Sequence, residues 1–239
     1  MPGMKWIALE SNPEVMNFWA NKVGLDPFDS QFCDVYGLDQ ELLAMVPQPV
    51  KAIVLLFPWP GPWKEYLIRE DEKIKAEGQP PIDPNVVWVK QTIGNACGTM
   101  AVIHALANCG ATLKPDSPFA EFATKCKGVS GEERIRLLEA NTAFAEAHAQ
   151  AAVAGQSVNP GFDHPPHAYT AFVQAPAVPT GDGETHGKRL IELNGGRDGP
   201  IDRGASSDLL QDVVAYVKDN LLPLGDSVEY SMIALTAVQ

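Results

Sequence analysis

No stretch of this 239-residue chain approaches the roughly 18 to 20 apolar residues that a membrane-spanning helix needs. The longest apolar run, residues 52–60 with its Gly61-Pro62-Trp63 extension, is broken by prolines. The opening Met1-Pro2-Gly3-Met4-Lys5-Trp6 lacks the apolar core of a secretory signal. There is no Asn-x-Ser/Thr sequon. Cysteines number only four (Cys33, Cys97, Cys109, Cys126), and no two form Cys-x-x-Cys, which excludes a disulfide framework and a spaced zinc site. Basic residues are scarce: 18 Lys and Arg stand against 30 Asp and Glu, a net charge of −12. Such a balance repels polyphosphate, so nucleic acid is not expected as a partner. It suits a partner with a basic surface or tail, and solubility alone explains it equally well. These absences describe a soluble, intracellular protein with free thiols, expected in the cytoplasm with the nucleus as second compartment.

What is present is ordinary globular composition, 45% hydrophobic and 20% charged, with 20 Gly and 20 Pro. At this length one large domain, 1–239, is expected. Asn12-Pro13-Glu14 is a helix start: an Asn cap, a first-turn Pro and an acid at the positive helix end. Val15, Phe18, Trp19 and Val23 follow on one face. Residues 32–36 form a strand candidate, 40–45 a short helix capped by Asp39, 52–57 a buried strand, and 65–78 a charged helix or exposed connection. Residues 85–90 read as a strand. Residues 97–107 have helical spacing through Met100, Ile103, Leu106 and Ala107. Ser130-Gly131-Glu132-Glu133 is a capping box that predicts one helix to about Ala152. Residues 155–166 form a Pro/Gly loop of a length that is usually functional. Strands are expected at 168–174 and 189–193, joined by the Pro/Gly-rich 175–188. A helix over 207–221 and a final strand over 230–238 complete an interleaved α+β chain.

Cys97 is the centre of the chemistry. It follows a Gly94-Asn95 turn and sits in the first turn of a buried helix, where unpaired N–H groups and the helix dipole favour thiolate. The competing reading is a small buried core residue. A thiolate mechanism needs a base, and the histidines are His104, His148, His164, His167 and His186. His104 lies two helical turns from Cys97, about 10.5 Å of rise and too far for a hydrogen bond. His148 in its Ala-rich helix reads as a surface residue, and His186 lies in a polar loop. His167 opens a strand just after the long loop. A hairpin tip near Thr180-Gly181 sets it opposite Asn194, a residue that can orient an imidazole in a Cys-His-Asn triad. Asp163 and His164 form a rival pair inside the loop. Gln91, six residues before Cys97, offers a side-chain amide to the oxyanion formed when the thiolate attacks a carbonyl.

The segment Lys90-Gln91-Thr92-Ile93-Gly94-Asn95-Ala96-Cys97-Gly98-Thr99 closely resembles the active-site signature of the ubiquitin carboxyl-terminal hydrolase family of cysteine proteases. The resemblance extends through Leu9-Glu10-Ser11-Asn12-Pro13-Glu14-Val15, Asp34-Val35-Tyr36-Gly37-Leu38-Asp39, Glu41-Leu42-Leu43-Ala44-Met45-Val46-Pro47 and Glu192-Leu193-Asn194-Gly195 to Gly199-Pro200-Ile201-Asp202, and into the tail at Ile233-Ala234-Leu235. It covers essentially the whole chain and is nearest the short, single-domain members. It implies a papain-like α+β fold, with a central, mostly antiparallel sheet flanked by helices on both sides and a knotted backbone. It implies Cys97 as nucleophile, His167 as general base, Gln91 as oxyanion donor and no metal or organic cofactor. Residues 155–166 would be a crossover loop that passes only small or unfolded adducts.

By the same resemblance, Leu9, Glu10, Asn12 and the crossover loop would contact ubiquitin, whose arginine-bearing tail would suit an acidic groove. The departures are Asn194, where the family has aspartate, and a longer 175–188 loop. Asn orients His167 but gives no charge to an imidazolium. The expected protein is a monomeric thiol hydrolase acting at the C-terminal glycine of ubiquitin. Its rivals are a processor of a ubiquitin-like modifier such as Nedd8 and a non-catalytic ubiquitin-binding pseudoenzyme.

Overall fold

The computed structural model describes residues 5–156, 166–179 and 187–239. Its helices are α1 (Pro13–Val23), α2 (Gln40–Leu43), α3 (Pro62–Glu77), α4 (Cys97–Asn108), α5 (Pro118–Lys125), α6 (Gly131–Glu139), α7 (Thr142–Ala151) and α8 (Leu209–Tyr216), the last continuing through a widened turn at Val217–Leu221. The strands β1 (Ser30–Asp34), β2 (Val50–Pro58), β3 (His167–Pro176), β4 (Lys188–Leu193), β5 (Ile201–Ser206) and β6 (Ser231–Ala237) form one sheet in the order β1-β6-β2-β3-β4-β5. Every neighbouring pair among them is antiparallel.

The sheet is covered on both faces, which explains why β2 reads as an unbroken apolar run. Ala52 and Val54 face a core shared with α1, α4, α5, α6 and α7, whereas Ile53, Leu55 and Phe57 face one shared with α2, α3 and α8. Successive side chains of a strand point to opposite faces, so both parities must be apolar here. Trp19, Phe119, Phe122 and Phe144 form a buried aromatic cluster that fastens α1, α5 and α7 together, with Trp19–Phe144 centroids 5.3 Å apart.

Where side chains signal a helix start, the structure follows. Asn12 Oδ1 accepts from Glu14 N at 2.8 Å, and Ser130 Oγ accepts from Glu133 N at 3.2 Å. Asp39 occupies its cap position without making a side-chain cap bond.

Three expectations are corrected. The single helix to Ala152 is two helices, because Asn141 leaves helical geometry and caps α7 by accepting from Phe144 N at 3.1 Å. Residues 85–90 join no sheet, and Asn85 lies in a turn. Their amides go to side chains instead: Val87 N donates to Asn108 Oδ1 at 2.7 Å, and Val89 N contacts His104 Nε2 at 3.0 Å. Val87 and Val89 are buried, so the apolar run marked interior position rather than strand. Finally, the β3–β4 register pairs Ala171 with Leu193 and Pro176 with Lys188. The hairpin is centred further along the chain than assumed, so His167 does not lie opposite Asn194. His167 pairs with Pro58 of β2 instead, and Asn194 falls just beyond β4. The assumed tip at Thr180-Gly181 lies outside the described residues. So do residues 180–186 of the 175–188 segment, with His186, and residues 157–165 of the expected crossover loop, with Asp163 and His164.

Candidate active site

The turn before α4 sets the position of Cys97. Asn95 takes φ +60°, a left-handed conformation that Asn tolerates better than most residues. Gly94 packs so close to Lys5 that a Cβ would lie 2.8 Å from Lys5 Cγ. Ala96 stands at the N-cap position and offers no side-chain cap. The first N–H groups of α4 therefore point, uncapped, to where Cys97 begins the helix. Gly98 lets Leu9 and Tyr169 approach closely; a Cβ there would meet Leu9 Cβ at 3.1 Å. Burial pushes the Cys97 thiol up from its ordinary value, and the backbone N–H groups of Tyr169, Gly98 and Cys97 itself only partly oppose it. The dipole argument alone had favoured thiolate; desolvation outweighs it in this resting arrangement. The other thiols are pushed up as well, Cys109 and Cys126 to about 11, by desolvation.

Asn194, Gly195, Gly196 and Arg197 form a tight turn. Asn194 Oδ1 accepts from Gly196 N at 2.8 Å, and Arg197 N donates to Asn194 O at 3.2 Å. The turn is bound to the segment leading to Cys97. Trp88 Nε1 donates to Asn194 O at 3.0 Å, Gln91 N to Gly195 O at 2.9 Å, and Lys90 Nζ to Arg197 O at 2.7 Å. Arg197, 2% exposed at its side chain, runs into α3 and binds Glu70 at 2.6 Å and Asp71 at 2.7 Å. Arg203 of β5 joins Glu70 to Glu192 and lies 4.4 Å above the Tyr216 ring. Thr170 Oγ1 completes the group by donating to Glu192 Oε1 at 3.1 Å. A buried, fully paired ionic network thus fixes the turn that carries Asn194.

Cys97, Gln91, His167 and Asn194 all line one cleft of 780 Å³. The four residues singled out from sequence are therefore together in space. Their contacts differ from a preformed triad. Gln91 Nε2 donates to Ile93 O at 3.0 Å. His167 Nε2 lies 3.3 Å from Glu229 Oε2. Among the described residues no hydrogen bond joins His167 to Cys97 or to Asn194. The charged residues lining the cleft are Lys64, Asp71 and Arg197, and Asp71 is paired with Arg197. The net negative charge is thus not concentrated in this lining.

The remaining candidates fall elsewhere. Leu9 is a core side chain packed against Gly98, and its carbonyl accepts from Tyr169 OH at 3.0 Å. Glu10 and Asn12 stay partly exposed, and Asn12 is also occupied as the α1 cap. His148 is buried rather than on the surface. Its Nε2–H donates to Ile7 O at 2.8 Å, which leaves Nδ1 to accept from Thr99 Oγ1 at 2.7 Å, and its ring stacks on Trp6. Desolvation holds both His104 and His148 at about 4, so both are neutral struts near the Cys97 helix. Sequence reasoning missed Arg197 and Glu229. The Gly-Gly-Arg run after Asn194 was a usable turn signal for the first; nothing local marks the second.

The family model of ubiquitin carboxyl-terminal hydrolase, family 1, matches residues 6–221. Ubiquitin carboxyl-terminal hydrolase 3 of Arabidopsis thaliana is 36% identical over 236 residues, 97% of this chain and 94% of that protein. The ubiquitin carboxyl-terminal hydrolase of Aplysia californica is 37% identical over 219 residues, 90% and 94% of the two chains. Among solved structures, the catalytic domain of Trichinella spiralis UCH37 bound to ubiquitin vinyl methyl ester superposes with a TM-score of 0.69 at 19% identity. That match covers 98% of this chain and 96% of the other, and it establishes the fold.

Proposed function

Because the chain belongs to the ubiquitin carboxyl-terminal hydrolase family of cysteine peptidases, we propose that it hydrolyses the bond after the C-terminal glycine of ubiquitin through Cys97. The carrying observation is that an uncapped helix N-terminus presents Cys97 to the same cleft as Gln91, His167 and Asn194. His167 takes the Cys97 proton as the thiolate attacks the glycine carbonyl. The oxyanion meets the backbone N–H of Cys97 and the Gln91 amide, once Gln91 turns from Ile93 O. The proton on His167 then passes to the leaving group as the tetrahedral intermediate collapses to a thioester. Water, with His167 as base, releases ubiquitin and frees the thiol. No step calls for a metal or organic cofactor. Catalytic hydrogen bonds in a free enzyme are often long and tighten in the substrate complex, which fits a thiol and imidazole that line one cleft without touching.

The proposal extends to small or unfolded adducts as leaving groups, to a single catalytic domain over 1–239, to action as a monomer, and to a cytoplasmic place with the nucleus as second compartment. Ubiquitin is the first partner and Nedd8 the competitor; parallel kcat/KM measurements on the two modifiers separate them. The direct test is hydrolysis of a fluorogenic C-terminal amide of ubiquitin by wild type and Cys97→Ala. Turnover is expected only in the wild type. Turnover that survives Cys97→Ala overturns the mechanism. A folded wild type that binds ubiquitin without turnover supports the pseudoenzyme instead.

A further inference from the structure

Asn194 leaves the catalytic imidazole without the carboxylate that a Cys-His-Asp arrangement has, and its Oδ1 is committed to Gly196 N within its own turn. A carboxylate nonetheless reaches His167: Glu229 Oε2 stands 3.3 Å from His167 Nε2. We propose that Glu229 is a positioning residue of this enzyme, supplying to His167 the hydrogen-bond acceptor and negative charge that Asn194 does not. The proposal rests on His167 being the base of the thiol mechanism above.

The geometry supports this in three ways. First, the contact is made to Nε2. A proton on Nε2, facing the Glu229 carboxylate, leaves Nδ1 unprotonated as the ring atom that takes the Cys97 proton. When it does, the ring becomes an imidazolium, and the neighbouring carboxylate stabilises that charge as it forms. Asn offers an acceptor oxygen but no charge, so the two residues are not equivalent in this step. Second, the backbone on both sides of Glu229 is fixed. Its own N–H donates to Ser227 Oγ at 3.2 Å, and Tyr230 N donates to Val228 O at 2.9 Å. Tyr230 OH accepts from Trp63 Nε1 at 2.6 Å and donates to Leu221 O at 2.9 Å, which ties the segment to α3 and to the turn after α8. Third, the charged groups that line the cleft do not compete for the role. Asp71 is taken by Arg197, and Lys64 and Arg197 are cations. Glu229 is largely exposed, 65% at its side chain, so solvent and salt screen the pair.

The experiment measures kcat and KM for a fluorogenic C-terminal amide of ubiquitin from pH 5 to 9, at low and high salt, on the full chain. The variants are Glu229→Gln, Glu229→Asp, Asn194→Asp and the double Asn194→Asp/Glu229→Gln. Glu229→Gln is expected to lower kcat about five- to tenfold with KM unchanged, and to lose less at high salt, as a screened exposed pair does. Glu229→Asp should recover part of the loss. The double variant should return to within about twofold of wild type, because the new aspartate takes over the role. An unchanged or raised kcat in Glu229→Gln overturns the inference; a raised one would show Glu229 holding His167 away from the thiol. A wild type without turnover, or turnover surviving Cys97→Ala, overturns instead the thiol mechanism on which it rests.

Discussion

At the scale of single residues, the notable fact about Cys97 is a conflict between two forces at one sulfur. Uncapped N–H groups pull its ionisation down, and burial pushes it up by more. The sign of the consequence is clear. A thiol whose pKa is raised stays protonated at pH 7 to 8, and its thiolate fraction climbs about tenfold per pH unit until the raised value is passed. Alkylation of Cys97 by iodoacetamide in the free enzyme should therefore keep rising through pH 9 without levelling off. A plateau already reached at pH 7 would mean that thiolate and imidazolium are paired at rest. Legibility at this scale was uneven. That Cys97, His167, Gln91 and Asn194 belong together was readable, because thiol chemistry demands those residue types and the turn before Cys97 has a local signature; the structure brings them into one cleft. The alignment of His167 was not, because a hairpin register depends on where the turn closes, and a shifted centre changes every pairing.

At the scale of elements, the corner formed by residues 88–91 and 194–197 carries Gln91 and Asn194 to one side of the cleft. Gly195 has a specific role there. A Cβ on it would meet Gln91 Cβ at 3.0 Å and Gln91 N at 3.2 Å, and the second contact is backbone that cannot swing aside. Gly195→Ala should displace Gln91 by a few tenths of an ångström and lower kcat by about tenfold with little change in ubiquitin affinity, as misplacement of a positioned group does. Steady-state kinetics beside a ubiquitin-binding titration would reveal it, and equal losses in both would point to general disruption. Asn108 does comparable work for the strand-like segment, since its side chain pairs with both Val87 N and Val87 O, at 2.7 and 2.9 Å. Asn108→Ala should cost about 1–3 kcal/mol, the range for leaving buried backbone groups unpaired. Denaturant melts would measure it, and exchange at the Val87 amide should quicken. Elements with their own caps, such as α1 and α6, were legible from sequence. Residues 85–90 were misread because a buried extended segment and a strand share one apolar pattern and differ only in where their amides go. The helix α5 and the strand β5 went unseen: α5 is a short element between loops, and β5 fully buries only Ile201 and so carries no apolar alternation.

At the scale of the whole molecule, two neutral histidines make the fold sensitive to acid. Desolvation lowers His104 and His148 from the ordinary 6.5 to about 4. Above about pH 6.5 both states of the chain hold them neutral and nothing is lost. Below it the unfolded chain takes up two protons that the folded chain refuses, so stability falls, and the fall levels off below about pH 4. Each can account for up to roughly 3 kcal/mol. Thermal melts should therefore drop steadily between pH 6.5 and 4, and a His148→Gln variant should show a shallower drop. A flat profile over that range would mean that the two rings are protonated in the native state. The architecture was readable as interleaved α+β from the alternation of helix and strand patterns, and the helices on both faces of the sheet from the family resemblance. The strand order was not, because no local pattern records which strand neighbours which.

That order has a consequence for biogenesis. The strand β6, residues 231–237, lies between β1 and β2, which precede it by more than 170 residues. While the polypeptide is being translated, β1 has no partner in the sheet and β2 has one open edge. The ribosome must pass residue 231 before the sheet's interior can close. The emerging chain therefore waits with unpaired edges, a period in which a holding chaperone has its natural point of entry.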